Sequence, residues 1–145
     1  MKETMLKVEN LVVDYDHVHA IRDISMEVRK NEIVCLIGSN GAGKTTTLGA
    51  ISNIVGKASG RILFQGDDIT SMHPAEIVRK GISHVPEGRH VFPKMTVSEN
   101  LILGTMALKK IKKQYIEERM AKMYALFPRL KERSGQMAGT LSGGE

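Results

Sequence analysis

Gly38-Ser39-Asn40-Gly41-Ala42-Gly43-Lys44-Thr45 fits the pattern G-x-x-x-x-G-K-[ST]. Each residue type in it meets a need of a polyphosphate. Glycines let the backbone turn tightly and bring amides close to anionic oxygens. A helix starting just after the loop adds the partial positive charge of its N-terminus. Lys44 can reach β- and γ-phosphates, and the Thr45 hydroxyl can ligate Mg²⁺. The flanks agree. Ile33-Val34-Cys35-Leu36-Ile37 is an apolar run of the kind a buried parallel strand shows. Residues 44–54 predict a helix, with Leu48, Ile51 and Val55 on one face.

The bulk properties narrow the class. The chain has 145 residues, enough for one domain with a real core, and 41% are hydrophobic and 26% charged. Its one cysteine, Cys35, lies in the apolar run and reads as a small buried hydrophobe, with no disulfide framework. The first residues carry no signal-peptide core, and no apolar run reaches membrane-spanning length. The sequence therefore predicts no insertion into a bilayer. Net charge is +5, with much of the excess in Lys109-Lys110-Ile111-Lys112-Lys113, read as a solvated helix connection. Tryptophan is absent and aromatics are few, which argues against a stacking platform for nucleic acid.

Before the loop, residues 6–15 and 20–28 predict two strands joined by a turn over 14–19. The second alternates, with Ile21, Asp23 and Ser25 on one face and Ile24, Met26 and Val28 on the other. After the first helix come a strand over 61–65, a turn at 66–68, a helix over 74–80 closed by Gly81, and a strand over 82–85. Thr96-Val97-Ser98-Glu99 is a capping box, so a helix is expected over 97–108. Another is expected over 113–127, with Ile116, Met120, Met123 and Phe127 as its stripe, ending at Pro128. Residues 131–139 are polar and read as a mobile connection.

The chain closes with Leu141-Ser142-Gly143-Gly144-Glu145. Alone this is linker composition. Together with the phosphate loop, Tyr15 and the loop at Glu87, it resembles the signature motif of the ATP-binding cassette (ABC) family. The resemblance runs from about residue 6 to 145. It implies an α/β P-loop NTPase core with an N-terminal antiparallel β-subdomain (about 1–32), a phosphate-loop core (33–87), and a helical subdomain (88–145) that ends at the signature. It further implies that Tyr15 stacks on adenine and that Ala20 lines base and ribose. Gly38, Ser39, Asn40, Gly41, Ala42, Gly43, Lys44, Thr45 and Thr46 would hold the phosphates and Mg²⁺ of ATP. Ser142, Gly143 and Gly144 would meet the γ-phosphate of a nucleotide held by a second ABC ATPase subunit. Glu87 stands where the family usually has a glutamine that touches Mg²⁺ and the attacking water.

The string Val85-Pro86-Glu87-Gly88-Arg89 with Phe92, Met95-Thr96-Val97 and Glu99-Asn100-Leu101 is similar to one branch, the LivF-type ATP-binding subunits of branched-chain amino acid importers. Urea and amide importers are close relatives of that branch. The resemblance implies an ATPase at the cytoplasmic face of the membrane, held there by integral permease subunits and paired with a second ATPase. Competing readings are a nucleotide-binding module without hydrolysis, and a soluble ABC protein of ribosomes or DNA repair. The family's apolar strand ending in Asp-Glu and its later switch histidine are not in residues 1–145, so the sequence is expected to be an N-terminal part, inactive in turnover by itself.

Overall fold

Bulges in the first two strands decide how the core is built. The computed structural model describes residues 3–15, 18–88, 90–108 and 112–145, in two compact units, Met1–His84 and Val85–Glu145. In the first unit, β1 (Thr4–Tyr15) pairs antiparallel with β2 (Val18–Arg29) and, on its other edge, with β3 (Ser59–Phe64). A short β4 (Asp67–Asp68) completes the sheet order β2-β1-β3-β4. Strict alternation would put Ile21 on the face opposite Ile24 and Met26. The structure corrects this. Val13 pairs with Ile21 and Leu11 with Ile24 across a register shift, so Ile21 is buried in the cluster that Ile24 and Met26 also pack against. A bulge adds one residue to one strand and re-aims those beyond it. The expected turn at 14–19 is shorter than predicted, since β1 runs through Tyr15 and β2 begins at Val18. Asp16 and His17 lie outside the described residues.

Helix α1 (Lys44–Ile51) packs its Ala50 and Ile51 into this cluster with Val8, Leu11, Val13, Ile62 and Ile69. It stops short of the predicted residue 54, and Leu48, expected on the apolar face, is 47% exposed. Helix α2 (Pro74–Lys80) has the predicted bounds, with His73 capping its start and Gly81 left-handed at its end.

The run at 33–37 is not a strand. Ile33 is 93% and Ile37 95% exposed, and Cys35 is exposed rather than buried. Residues 82–85 form no strand either, and Val85 is 87% exposed. The cause is pairing. A parallel strand holds its shape only when a flanking strand takes its amides and carbonyls, and all strand pairs among the described residues are antiparallel. Such a run is a template for association. Sedimentation of this 145-residue chain is expected to show assemblies that grow with concentration, and Ile33→Lys with Ile37→Lys to return it toward monomer. A parent chain monomeric at all concentrations would contradict this.

In the second unit the Thr96 box is formed: the Thr96 hydroxyl accepts from the Glu99 N–H, and Glu99 accepts from the Thr96 N–H, starting α3 (Val97–Leu103). That helix ends earlier than 108. Helix α4 (Lys113–Leu126) half-buries Ile116, Met120 and Met123, whereas Phe127 is 56% exposed. Pro128 ends α4 and opens α5 (Pro128–Glu132). The basic connection at 109–111 lies outside the described residues. Residues 131–139 are fixed, contrary to the mobile connection expected. Gln136 and Ser134 carbonyls accept from Val97 and Ser98, and Ala138 and Gly139 donate to Met95 and Pro93. Composition marked this stretch as polar, but its backbone is what pairs. No helix among the described residues is long and apolar enough to cross a membrane.

Candidate functional site

The loop that opens α1 takes its shape from two glycines and a turn. The Ala42 N–H donates to the Ser39 carbonyl at 3.2 Å, and Gly41 and Gly43 both have φ of 83°. Gly43 also has a packing reason. A Cβ there would lie 2.9 Å from the Ala20 carbonyl oxygen and 3.2 Å from Ile21 Cγ1. The loop is thus seated directly on β2, and Ala20 is brought against it. Thr47, 1% exposed, donates its hydroxyl to the Gly43 carbonyl at 2.8 Å and locks the loop to the first turn of α1.

The start of α1 has no side-chain cap and no acidic residue in its first turn. The first amides of a helix lack partners within it and favour an anion. Lys44 stands at the same place. Its ammonium donates to the Gly38 carbonyl at 2.9 Å and the Ser39 carbonyl at 2.7 Å, folded back across the loop. A phosphate would trade those two neutral acceptors for charged ones, which bind an ammonium more strongly. Thr45 is exposed and Thr46 half-buried on the same turn.

Tyr15, 48% exposed, sits at the end of β1 across from Val18, at the same end of the hairpin as Ala20. It flanks a groove of about 420 Å³ whose other wall is Ile54, Val55, Gly56 and Ala58. Beside it Asp14 and His19 are joined, Oδ1 to Nδ1, at 2.7 Å. The first unit therefore holds the loop against Ala20, with Tyr15 at the same end of the hairpin.

Glu87 and the end of the chain belong to the second unit. Glu87 is exposed and its backbone carbonyl is 2.7 Å from His90 Nε2; Arg89 lies outside the described residues. At the signature-like end, the Ser142 N–H donates to Glu145 Oε2 at 2.8 Å. Glu145 also meets Arg133 at 2.9 Å and Arg129 at 3.8 Å. The bond from the Ser142 backbone, then its side chain, then the two arginines hold the Glu145 carboxyl below its ordinary range. Ser142 and Glu145 have the spacing of a capping box, a signal present in the sequence that linker composition hid. Lys44's contact with its own loop and Gly43's seat on β2 had no sequence signal. Among the described residues no group of three His, Cys, Asp or Glu side chains is placed to hold a metal.

The chain matches the family model of the ABC transporter over residues 21–145. It is 45% identical over 141 residues to a high-affinity branched-chain amino acid transport ATP-binding protein, BraG of Pseudomonas aeruginosa, covering 97% of this chain and 59% of that one. A probable branched-chain amino acid transport ATP-binding protein, LivF of Archaeoglobus fulgidus, is 34% identical, over 97% of this chain and 58% of its own length. The chain thus spans about three fifths of these curated relatives. A crystal structure of an ATP-binding cassette of an ABC transporter superposes with a TM-score of 0.81 at 31% identity, covering 99% of this chain and 60% of that one. The ADP conformation of such a cassette gives 0.80 at 28%, covering 97% and 60%. With its phosphate-type loop seated on an antiparallel hairpin, this chain belongs to the ABC transporter family.

Proposed function

We propose that this chain is the nucleotide-binding part of an ATPase subunit that powers an ABC importer, with branched-chain amino acids as the transported class. The observation that carries the nucleotide reading is the uncapped start of α1, with the Lys44 ammonium at the mouth of the loop. The substrate class rests on the names of the relatives it is similar to. Residues 38–46 hold the phosphates, Lys44 spanning β and γ. Tyr15 offers its ring to adenine, and Ala20 lines base and ribose. The exposed Thr45 hydroxyl is a hard oxygen donor that suits Mg²⁺, an ion that keeps several waters and takes few protein ligands. When bound, Mg²⁺ supplies charge neutralisation at the phosphates. Glu87 is the chain's candidate for orienting the attacking water. In this reading Ser142, Gly143 and Gly144 face a nucleotide held by a second ATPase subunit. The pair works at the cytoplasmic face beneath integral permease subunits.

The test separates base from phosphate. Tyr15→Ala is expected to weaken ATP by roughly 1–3 kcal/mol, the worth of one stacked base, while inorganic triphosphate binds as before. Calorimetry with both ligands measures it. Equal losses for the two would make Tyr15 a strand residue only, and a parent chain that binds neither would overturn the nucleotide reading.

A further inference from the structure

We propose that Asn40-Gly41 is a site of spontaneous deamidation, and that the acidic product closes the loop to polyphosphate. The first half stands on local chemistry alone; the second rests on the nucleotide reading above. Asn40 and Gly41 are the central residues of the turn closed by Ala42 N–H and the Ser39 carbonyl, and both are exposed. A Cβ on Gly41 would meet nothing within 4 Å, so the space beside its Cα is open. Neither the Asn40 carboxamide nor the Gly41 N–H is hydrogen-bonded among the described residues.

The other asparagines differ. Asn10 donates to Asp23 at 3.2 Å, Asn53 to the Met72 carbonyl at 2.6 Å, and Asn100 to the Phe92 carbonyl at 3.1 Å. Each is followed by a bulky residue, Leu11, Ile54 or Leu101, and Asn31 by Glu32. Only Asn40 precedes glycine, whose missing side chain leaves the following nitrogen open and the backbone free to turn.

In the reaction the Gly41 nitrogen attacks the Asn40 side-chain carbonyl carbon. A C–N bond forms, the carboxamide C–N bond breaks, and ammonia leaves carrying the amide proton. Water then opens the cyclic imide at either carbonyl, giving aspartate or isoaspartate. No oxidant or reductant is needed. A neutral amide becomes a carboxylate beside the amides that would wrap the phosphates, and the isoaspartate form also lengthens the backbone of a loop whose shape is set by φ at Gly41 and Gly43. Like charge and altered shape both oppose an incoming polyphosphate.

The experiment incubates the chain at mildly alkaline pH and follows it by peptide mass mapping, with enzymatic methyl labelling of isoaspartate. Conversion is expected at Asn40 well ahead of Asn31, which lies in the same tryptic peptide and serves as internal reference. Asn40→Gln, which must close a larger ring, is expected to remove the mass gain there. Conversion of Asn31 first, or an Asn40 stable over the course, overturns the proposal. The acidic form, separated by cation exchange because the chain is basic, is then titrated with ATP and with inorganic triphosphate beside the unconverted chain. Several-fold weaker binding of both supports closure of the loop, and equal affinity overturns it. If the unconverted chain binds neither, the nucleotide reading fails, while the mass map still decides whether Asn40 deamidates.

Discussion

Lys44→Ala is expected to lower affinity for Mg-ATP about a hundredfold or more. A hydrogen bond to a charged group is worth roughly 1.5–3 kcal/mol, and Lys44 would make more than one. Each 1.4 kcal/mol is about a factor of ten. Among the described residues the same ammonium bonds the Gly38 and Ser39 carbonyls, both in exposed positions. Neutral acceptors at a wet surface return little net energy. Alanine should therefore leave the melting temperature nearly unchanged while binding is lost, and that split is the diagnostic. Calorimetry and thermal unfolding on the same preparation measure both. Unchanged affinity would remove the loop from the site, and a collapse of stability would mean that Lys44 serves the fold.

Gly60→Ala should be the most damaging small change in the first unit. Gly60 has φ of 101°, and a Cβ there would lie 2.6 Å from both the Asn10 carbonyl oxygen and Leu11 Cα. Those are backbone atoms of β1 at its bulge, and Leu11 is 0% exposed, so no side chain can swing aside. Left-handed strain costs about 1–3 kcal/mol and overpacking a further 1–3 or so. A loss of about 3 kcal/mol or more is expected, lowering the melting temperature by roughly 10 °C. Gly66→Ala is the control. It has φ of 85° with nothing within 4 Å, so only strain remains, about 1 kcal/mol. Equal effects at the two positions would show that backbone strain, not contact with β1, makes Gly60 necessary.

Local chemistry was legible in the sequence wherever a few adjacent residues decide it. The glycine-rich loop and the helix at Lys44, the Thr96-Glu99 box, the helix at Pro74 and the stop at Pro128 all follow from side chains and φ preferences within one or two turns. The hairpin was legible too, because alternation records which face is buried. Its register was not. The bulge that brings Ile21 and Ile24 into one core depends on which β1 residues they meet, and no local pattern in β2 carries that. Tertiary structure also decided that 131–139 is fixed, since its partners, Met95, Val97 and Ser98, lie far back along the chain. The apolar run at 33–37 is the clearest case. Its composition sets a strong preference for a buried strand, but a strand exists only when a neighbour accepts its hydrogen bonds. With antiparallel pairs alone among the described residues, that preference stays unspent, and Ile33 and Ile37 face water. Residue types determined the loop that can cradle phosphate; contacts distant in sequence decided where that loop sits, against Ala20 on β2.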